Sequence, residues 1–211
     1  MFYVIINLFS FNNYWYHPKI HNLGNTGVLG NIHALASPVI TKFIDENAYY
    51  GLDIRKQVFD NINGNVLDLC CGTGFSTKPG NTGVDTSLPM LRCANLFNPG
   101  SNYIFGNAET FGDTNSYDVV TCMFALHEIP EEGHINIINN AIRISKKKII
   151  FVDISTNYKP SNLMLSGEPY VIEYINNIDS LFDRYSFRKE NLIKGHVDMW
   201  TYTKYYLTKE S

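Results

Sequence analysis

The chain is short of charge. Only 18% of its 211 residues are Asp, Glu, Lys or Arg, and the net charge is -3. That balance argues against a large electrostatic footprint for nucleic acid, so nucleic acid is not the expected partner. Cysteine is scarce too: Cys70, Cys71, Cys93 and Cys122. The one close pair is vicinal, which is the wrong spacing for a zinc knuckle, and no metal is expected. No Asn-X-Ser/Thr sequon occurs. Both absences fit a reducing compartment, and a cytoplasmic setting is expected. No long hydrophobic run is present. The apolar stretch Met1–Phe11 is too short to span a bilayer and lacks the basic start and cleavage site of a signal peptide, so stable membrane insertion is not expected. It is read as a helix or strand packing on the body. No internal repeat stands out. With 45% hydrophobic residues, the length suits one sizeable core and a single domain over 1–211.

Residues 12–31 are rich in Asn, Gly and His and read as irregular loop. A helix is predicted from Ile32 to about Asn47, with Ser37-Pro38 as a break, and a second over Asp53–Ile62, ended by Asn63-Gly64. Then the period changes. Val66–Cys70 is a short apolar run stopping at glycines, as a strand buried on both faces does. Further strands are predicted at 82–84, 102–105, 117–123 and 148–154. Helical stretches over 88–96 and 130–144 lie between them. The basic run Lys146–Lys148 is read as a solvated turn completing the second of these helices. A helix is predicted over Pro169–Ile178. Tyr185–Leu192 and Val197–Tyr206 form a hairpin about Lys194-Gly195-His196. The fold class is therefore α/β: Rossmann-like, doubly wound, a mostly parallel seven-stranded sheet with a C-terminal antiparallel hairpin. Within it we distinguish an N-terminal cap and helices (1–64), a core (65–156), an insertion (157–182) and the hairpin (183–211).

In such sheets a ligand sits beyond the carboxyl ends of the strands. The first strand ends in Asp68-Leu69-Cys70-Cys71-Gly72-Thr73-Gly74. Two glycines there let backbone approach a ligand closely. The second strand closes on Asp85, an acid placed to accept both hydroxyls of a ribose. Together they indicate an adenosine-type nucleoside. A dinucleotide also needs its pyrophosphate on a helix N-terminus. The stretch FSTKPGNT (75–82) is too short for that helix and holds Pro79 and Gly80. A phosphate-free ligand such as S-adenosylmethionine loses nothing by the omission.

Four segments, in order and spacing, resemble the class I S-adenosylmethionine-dependent methyltransferases: VLDLCCGTG (66–74), GVDTSLPML (83–91), GNAETF (106–111) and YDVVTCMFALHEIP (117–130). The glycine loop is most similar to the type 11, ubiquinone/menaquinone methyltransferase-like branch. The resemblance implies S-adenosyl-L-methionine as cofactor. It implies that Asp68, Gly72 and Gly74 shape the loop around the methionine moiety, with Cys70 in place of the usual first glycine. By the same resemblance Asp85 binds the ribose, and Thr86 and Met90 flank the adenine. Asn107, Ala108 and Glu109 read the adenine edge, with Asn107 where many relatives have Asp. Met123 and Phe124 lie near the sulfonium, and Tyr50 or Arg55 reaches the methionine carboxylate.

Methyl transfer is an in-line displacement, and the enzyme holds the nucleophile about 3–3.5 Å from the carbon. An oxygen or nitrogen nucleophile usually needs a base. The candidates are His127, Glu128, His33, Glu168 and His196, with His127 first because it follows the fourth strand. Segments 12–50 and 155–182 carry Tyr14, Trp15, Tyr16, His21, Tyr158, Tyr170 and Tyr174. An apolar pocket with a few polar groups suits a small organic acceptor, methylated at oxygen. The alternatives are an RNA or protein methyltransferase working with a partner, and a non-catalytic cofactor-fold scaffold subunit.

Overall fold

The computed structural model describes residues 24–204. Met1–Phe11 and the acceptor candidates Tyr14, Trp15, Tyr16 and His21 lie outside them. Seven strands form one sheet: β1 (Val66–Leu69), β2 (Thr82–Asp85), β3 (Asn102–Phe105), β4 (Tyr117–Met123), β5 (Ser145–Ile154), β6 (Arg188–Ile193) and β7 (Val197–Thr203). Their order is β3-β2-β1-β4-β5-β7-β6. The first five pair in parallel, and β7 enters antiparallel between β5 and β6. The chain leaves β1 toward β2 and later returns to its other side as β4. That reversal opens a crevice at the carboxyl ends of β1 and β4.

The helices are α1 (Gly27–Ala48), α2 (Ile54–Asp60), α3 (Leu88–Phe97), α4 (Glu131–Ile144), α5 (Asn162–Gly167) and α6 (Val171–Arg184). Local chemistry sets their starts. Asp53, Ser87 and Ser161 accept from the backbone N–H three residues on, satisfying one orphan donor each. α4 begins after Pro130 with Glu131 and Glu132 in its first turn and Arg143 in its last, matching the helix dipole at both ends. One face of the sheet packs Leu67, Val120, Ile149, Phe151 and Trp200 against α4 and α6. The other packs Val66, Val119, Ile150 and Val197 against Tyr49 and α2.

Several expectations shift. α1 starts five residues before the predicted helix and runs unbroken through Pro38, forgoing one hydrogen bond instead of stopping. Lys146–Lys148 is no turn: β5 begins at Ser145, and Lys147 pairs with Asp118 at 3.0 Å. α5 was not foreseen, and α6 outruns its predicted end by six residues (184 against 178). No helix lies between β1 and β2, as the short FSTKPGNT stretch predicts. Among the described residues no helix is long and apolar enough to cross a membrane.

Candidate active site

The crevice is bounded by two residues in strained backbone. Cys70, just past β1, has φ +57°, and Phe124, just past β4, has φ +56°. Side chains rarely adopt this left-handed region, and such residues persist where surrounding structure enforces them. Cys70 thus keeps the conformation a glycine would take. Gly72 and Gly74 continue the turn at φ +51° and +81°. At Gly74 a Cβ would collide with the ring and hydroxyl of Tyr103.

Asp68 ties this loop from beneath. It is 1% exposed. One carboxylate oxygen accepts from Ser76 Oγ and Thr77 Oγ1, each at 2.8 Å, and the other from Thr121 Oγ1 at 2.9 Å. Burial pushes the carboxyl up to about 6 against those three donors. Asp85 ties the loop from the side. Its two oxygens accept from Gly72 N at 2.8 Å and from Ser87 N at 2.7 Å. Burial raises its pKa, and backbone N–H groups oppose the shift. A carboxylate oxygen takes two hydrogen bonds, so each retains capacity for a ligand hydroxyl. Thr86 and Met90 follow, both buried.

The loop after β3 is knitted as tightly. Asn107 is 5% exposed, and its Oδ1 accepts from Glu109 N at 2.8 Å. Asn140 Nδ2 donates to Ala108 O at 2.7 Å.

Past β4 the chain makes a short 3-10 turn, Leu126–Glu128. Asp153, at the end of β5, accepts from Leu126 N, His127 N and, at 2.5 Å, His127 Nδ1. On the far side of the ring, Nε2 faces Glu168 Oε2 at 3.7 Å. Burial alone would lower the His127 pKa, but Asp153, then Glu168 and Glu128, raise it to about 10. Glu128 is half-buried, and its carboxyl makes no hydrogen bond among the described residues. Burial pushes it up to about 8 against the pull of His127.

Tyr49 stacks on Phe124 at 6.0 Å between centroids, and the Arg55 guanidinium lies over the same ring at 4.3 Å. Arg55 also pairs with Asp45 at 3.4 Å. Tyr158 meets His196 edge-on at 5.8 Å.

Residues 66–148 match a methyltransferase-domain family. That match, the sequence relatives and the shared fold together support a class I S-adenosylmethionine-dependent methyltransferase. The chain is 26% identical over 178 residues to the ubiquinone biosynthesis O-methyltransferase of Hydrogenovibrio crunogenus, covering 74% of this chain and 71% of that one. Its fold is shared by a possible histamine N-methyltransferase of Thermotoga maritima at TM-score 0.61 and 14% identity, over 82% of this chain and 98% of that one. It is shared as well by the magnesium protoporphyrin IX methyltransferase of Synechocystis with bound S-adenosylmethionine, at TM-score 0.50 and 12% identity, over 79% and 96% of the two chains.

The residues of the crevice fit S-adenosylmethionine. A left-handed glycine turn offers close backbone approach, a carboxylate with spare acceptor capacity closes β2, and no helix follows β1 to receive a phosphate. Tyr50 is 78% exposed, and it is Tyr49 that packs on Phe124. Met123 is 4% exposed within the core facing α2, so Phe124 is the residue of that pair at the crevice. His127 is clamped through Nδ1 by Asp153 at 2.5 Å and faces Glu168 through Nε2, and these carboxylates raise its pKa. His33 bonds Gly24 O at 3.1 Å in α1, and Tyr174 is fully buried with its hydroxyl on Ile154 O, a core anchor and not a pocket wall. Sequence reasoning missed the partnership of Asp153 with His127, and also the polar side of α4. Its signal was legible: Asn136, Asn140 and Arg143 recur at helical spacing beside the apolar Ile137, Ile138 and Ala141.

Proposed function

We propose that the enzyme methylates a hydroxyl of a small organic acceptor, with Glu128 as the catalytic base. The observation that carries this is the half-buried Glu128 carboxyl beyond β4, untethered and pushed up to about 8. A base is most effective when its pKa lies near the working pH. The bound cofactor supplies a methyl group activated by its sulfonium. Glu128 takes the proton that the acceptor hydroxyl gives up. His127, charged and clamped by Asp153, fixes the turn that carries Glu128. Phe124 and Tyr158, both half-buried, offer apolar faces for the acceptor body. The likeness to an O-methyltransferase supports oxygen as the methylated atom. The free cysteines of the described residues support a cytoplasmic setting.

The test supplies donor carrying a labelled methyl group together with a metabolite extract, an RNA fraction or a protein fraction. Label is expected in small hydroxylated compounds, and Glu128→Gln should lower turnover about 100-fold with cofactor affinity kept. Label entering RNA or protein instead, or an unchanged Glu128→Gln rate, overturns the proposal.

A further inference from the structure

The loop Asn107–Gly112 has no helix or strand of its own, yet the carbonyls of Ala108, Thr110, Phe111 and Gly112 are gripped from one side of α4. Asn140 is 4% exposed. Its Nδ2 donates to Ala108 O at 2.7 Å and to Phe111 O at 3.1 Å, while its Oδ1 accepts from Arg143 Nε at 3.1 Å and Nη2 at 2.6 Å. Carbonyls on one side and a guanidinium on the other leave this amide a single orientation. Arg143 Nη2 continues along the loop to Gly112 O at 2.7 Å, Phe111 O at 3.2 Å and Thr110 O at 3.3 Å. One turn earlier on the helix, Asn136 Nδ2 holds Glu109 Oε2 at 3.0 Å.

The spacing 136, 140, 143 puts these side chains on one stripe. The helix beneath them does not give way. Ile137, Ile138, Ala141 and Ile144 are all fully buried in the main core. At its other end α4 holds the turn of Glu128, through His134 Nε2 and Leu126 O at 2.7 Å. One rigid helix therefore sets both the loop after β3 and the turn after β4.

We infer that Asn140 and Arg143 are positioning residues for the adenine end of the cofactor site, acting through the backbone of Asn107–Gly112. This rests on the assignment of that loop to adenine. Neither side chain needs to touch the cofactor. They fix where the backbone and the Asn107 amide stand when the base arrives, so that ordering is not charged against binding.

The experiment is calorimetric titration of the full chain with two probes, S-adenosylhomocysteine and its inosine counterpart, in which a carbonyl replaces the exocyclic amine. The wild type should prefer the adenine form. Asn140→Ala should weaken binding of S-adenosylhomocysteine about tenfold and shrink the adenine preference, because the buried Ala108 carbonyl loses its donor, Phe111 O keeps only Arg143, and the loop loosens. Arg143→Ala, at a half-buried site near the helix end, should shift both readings the same way. Arg143→Lys should not rescue it, since an ammonium lacks the planar fork. A purely structural role would lower thermal stability with the preference intact, and that result overturns the inference. A wild type that binds both probes equally removes the adenine assignment of the loop. A wild type that binds neither removes the cofactor reading itself.

Discussion

The two sides of the crevice are built differently. On the cofactor side each connection is fastened by a side chain bonded to backbone or hydroxyl: Asp68 beneath the glycine loop, Asp85 beside it, Asn140 and Arg143 behind the loop after β3. On the side proposed for the acceptor, α1 and α5 are loosely packed. α1 leaves Val28, Leu35, Val39 and Phe43 between 60% and 76% exposed, and α5 leaves Leu163 75% exposed. One side receives a ligand of fixed shape and is finished before it arrives. The other is made from elements with few buried contacts, the kind that tolerate change and movement.

The contrast is broken most strongly at Asp68. Asp68→Ala strands three buried hydroxyls, and unfolding experiments should show a loss of roughly 2–4 kcal/mol. A loss under about 0.5 kcal/mol, the level of an ordinary surface change, would mean that the loop does not depend on this knot. The join between the sides, His127 with Asp153 and Glu168, gives a pH test. The His127 pKa rises on folding from 6.5 to about 10, so its stabilisation is complete below 6.5 and fades as pH climbs through 10. Glu128, raised from 4.5 to about 8, has the same sign, losing stability between those values. The thermal midpoint should fall by several degrees from pH 6.5 to 9.5, and His127→Gln should flatten that slope. An unaltered slope would show that the imidazolium is not clamped. The smallest effect is expected on the outer face of α1. Phe43→Ser should shift folding stability by no more than about 0.5 kcal/mol, and a larger loss would show that this face is packed.

The sheet was legible because its signals are local. Short apolar runs ending in Gly or Asp can hardly be anything but buried parallel strands. The resemblance picked out the cofactor loops, and the structure explains how Cys70 serves in a glycine's place: the turn holds it at φ +57°. What stayed hidden depended on three-dimensional neighbours. His127 looks like a base in sequence. Its carboxylate neighbours appear only in the fold, where β5 brings Asp153 and the end of α5 brings Glu168 within reach. Tyr49 and Tyr50 are equivalent in composition, and only the turn after α1 decides which one packs on Phe124. Pro38 suggested a break, but the long α1 continues through it, with His33 and Ala34 buried in the turn before the proline.

The most direct measurement is calorimetric titration of wild type and Asp85→Ala with S-adenosylmethionine. The account predicts saturable micromolar binding for the wild type and a loss of roughly 100-fold for the variant, as expected when a charged acceptor of two hydroxyl bonds is removed. Equal affinity in the two proteins, or no heat from the wild type up to millimolar cofactor, would contradict it.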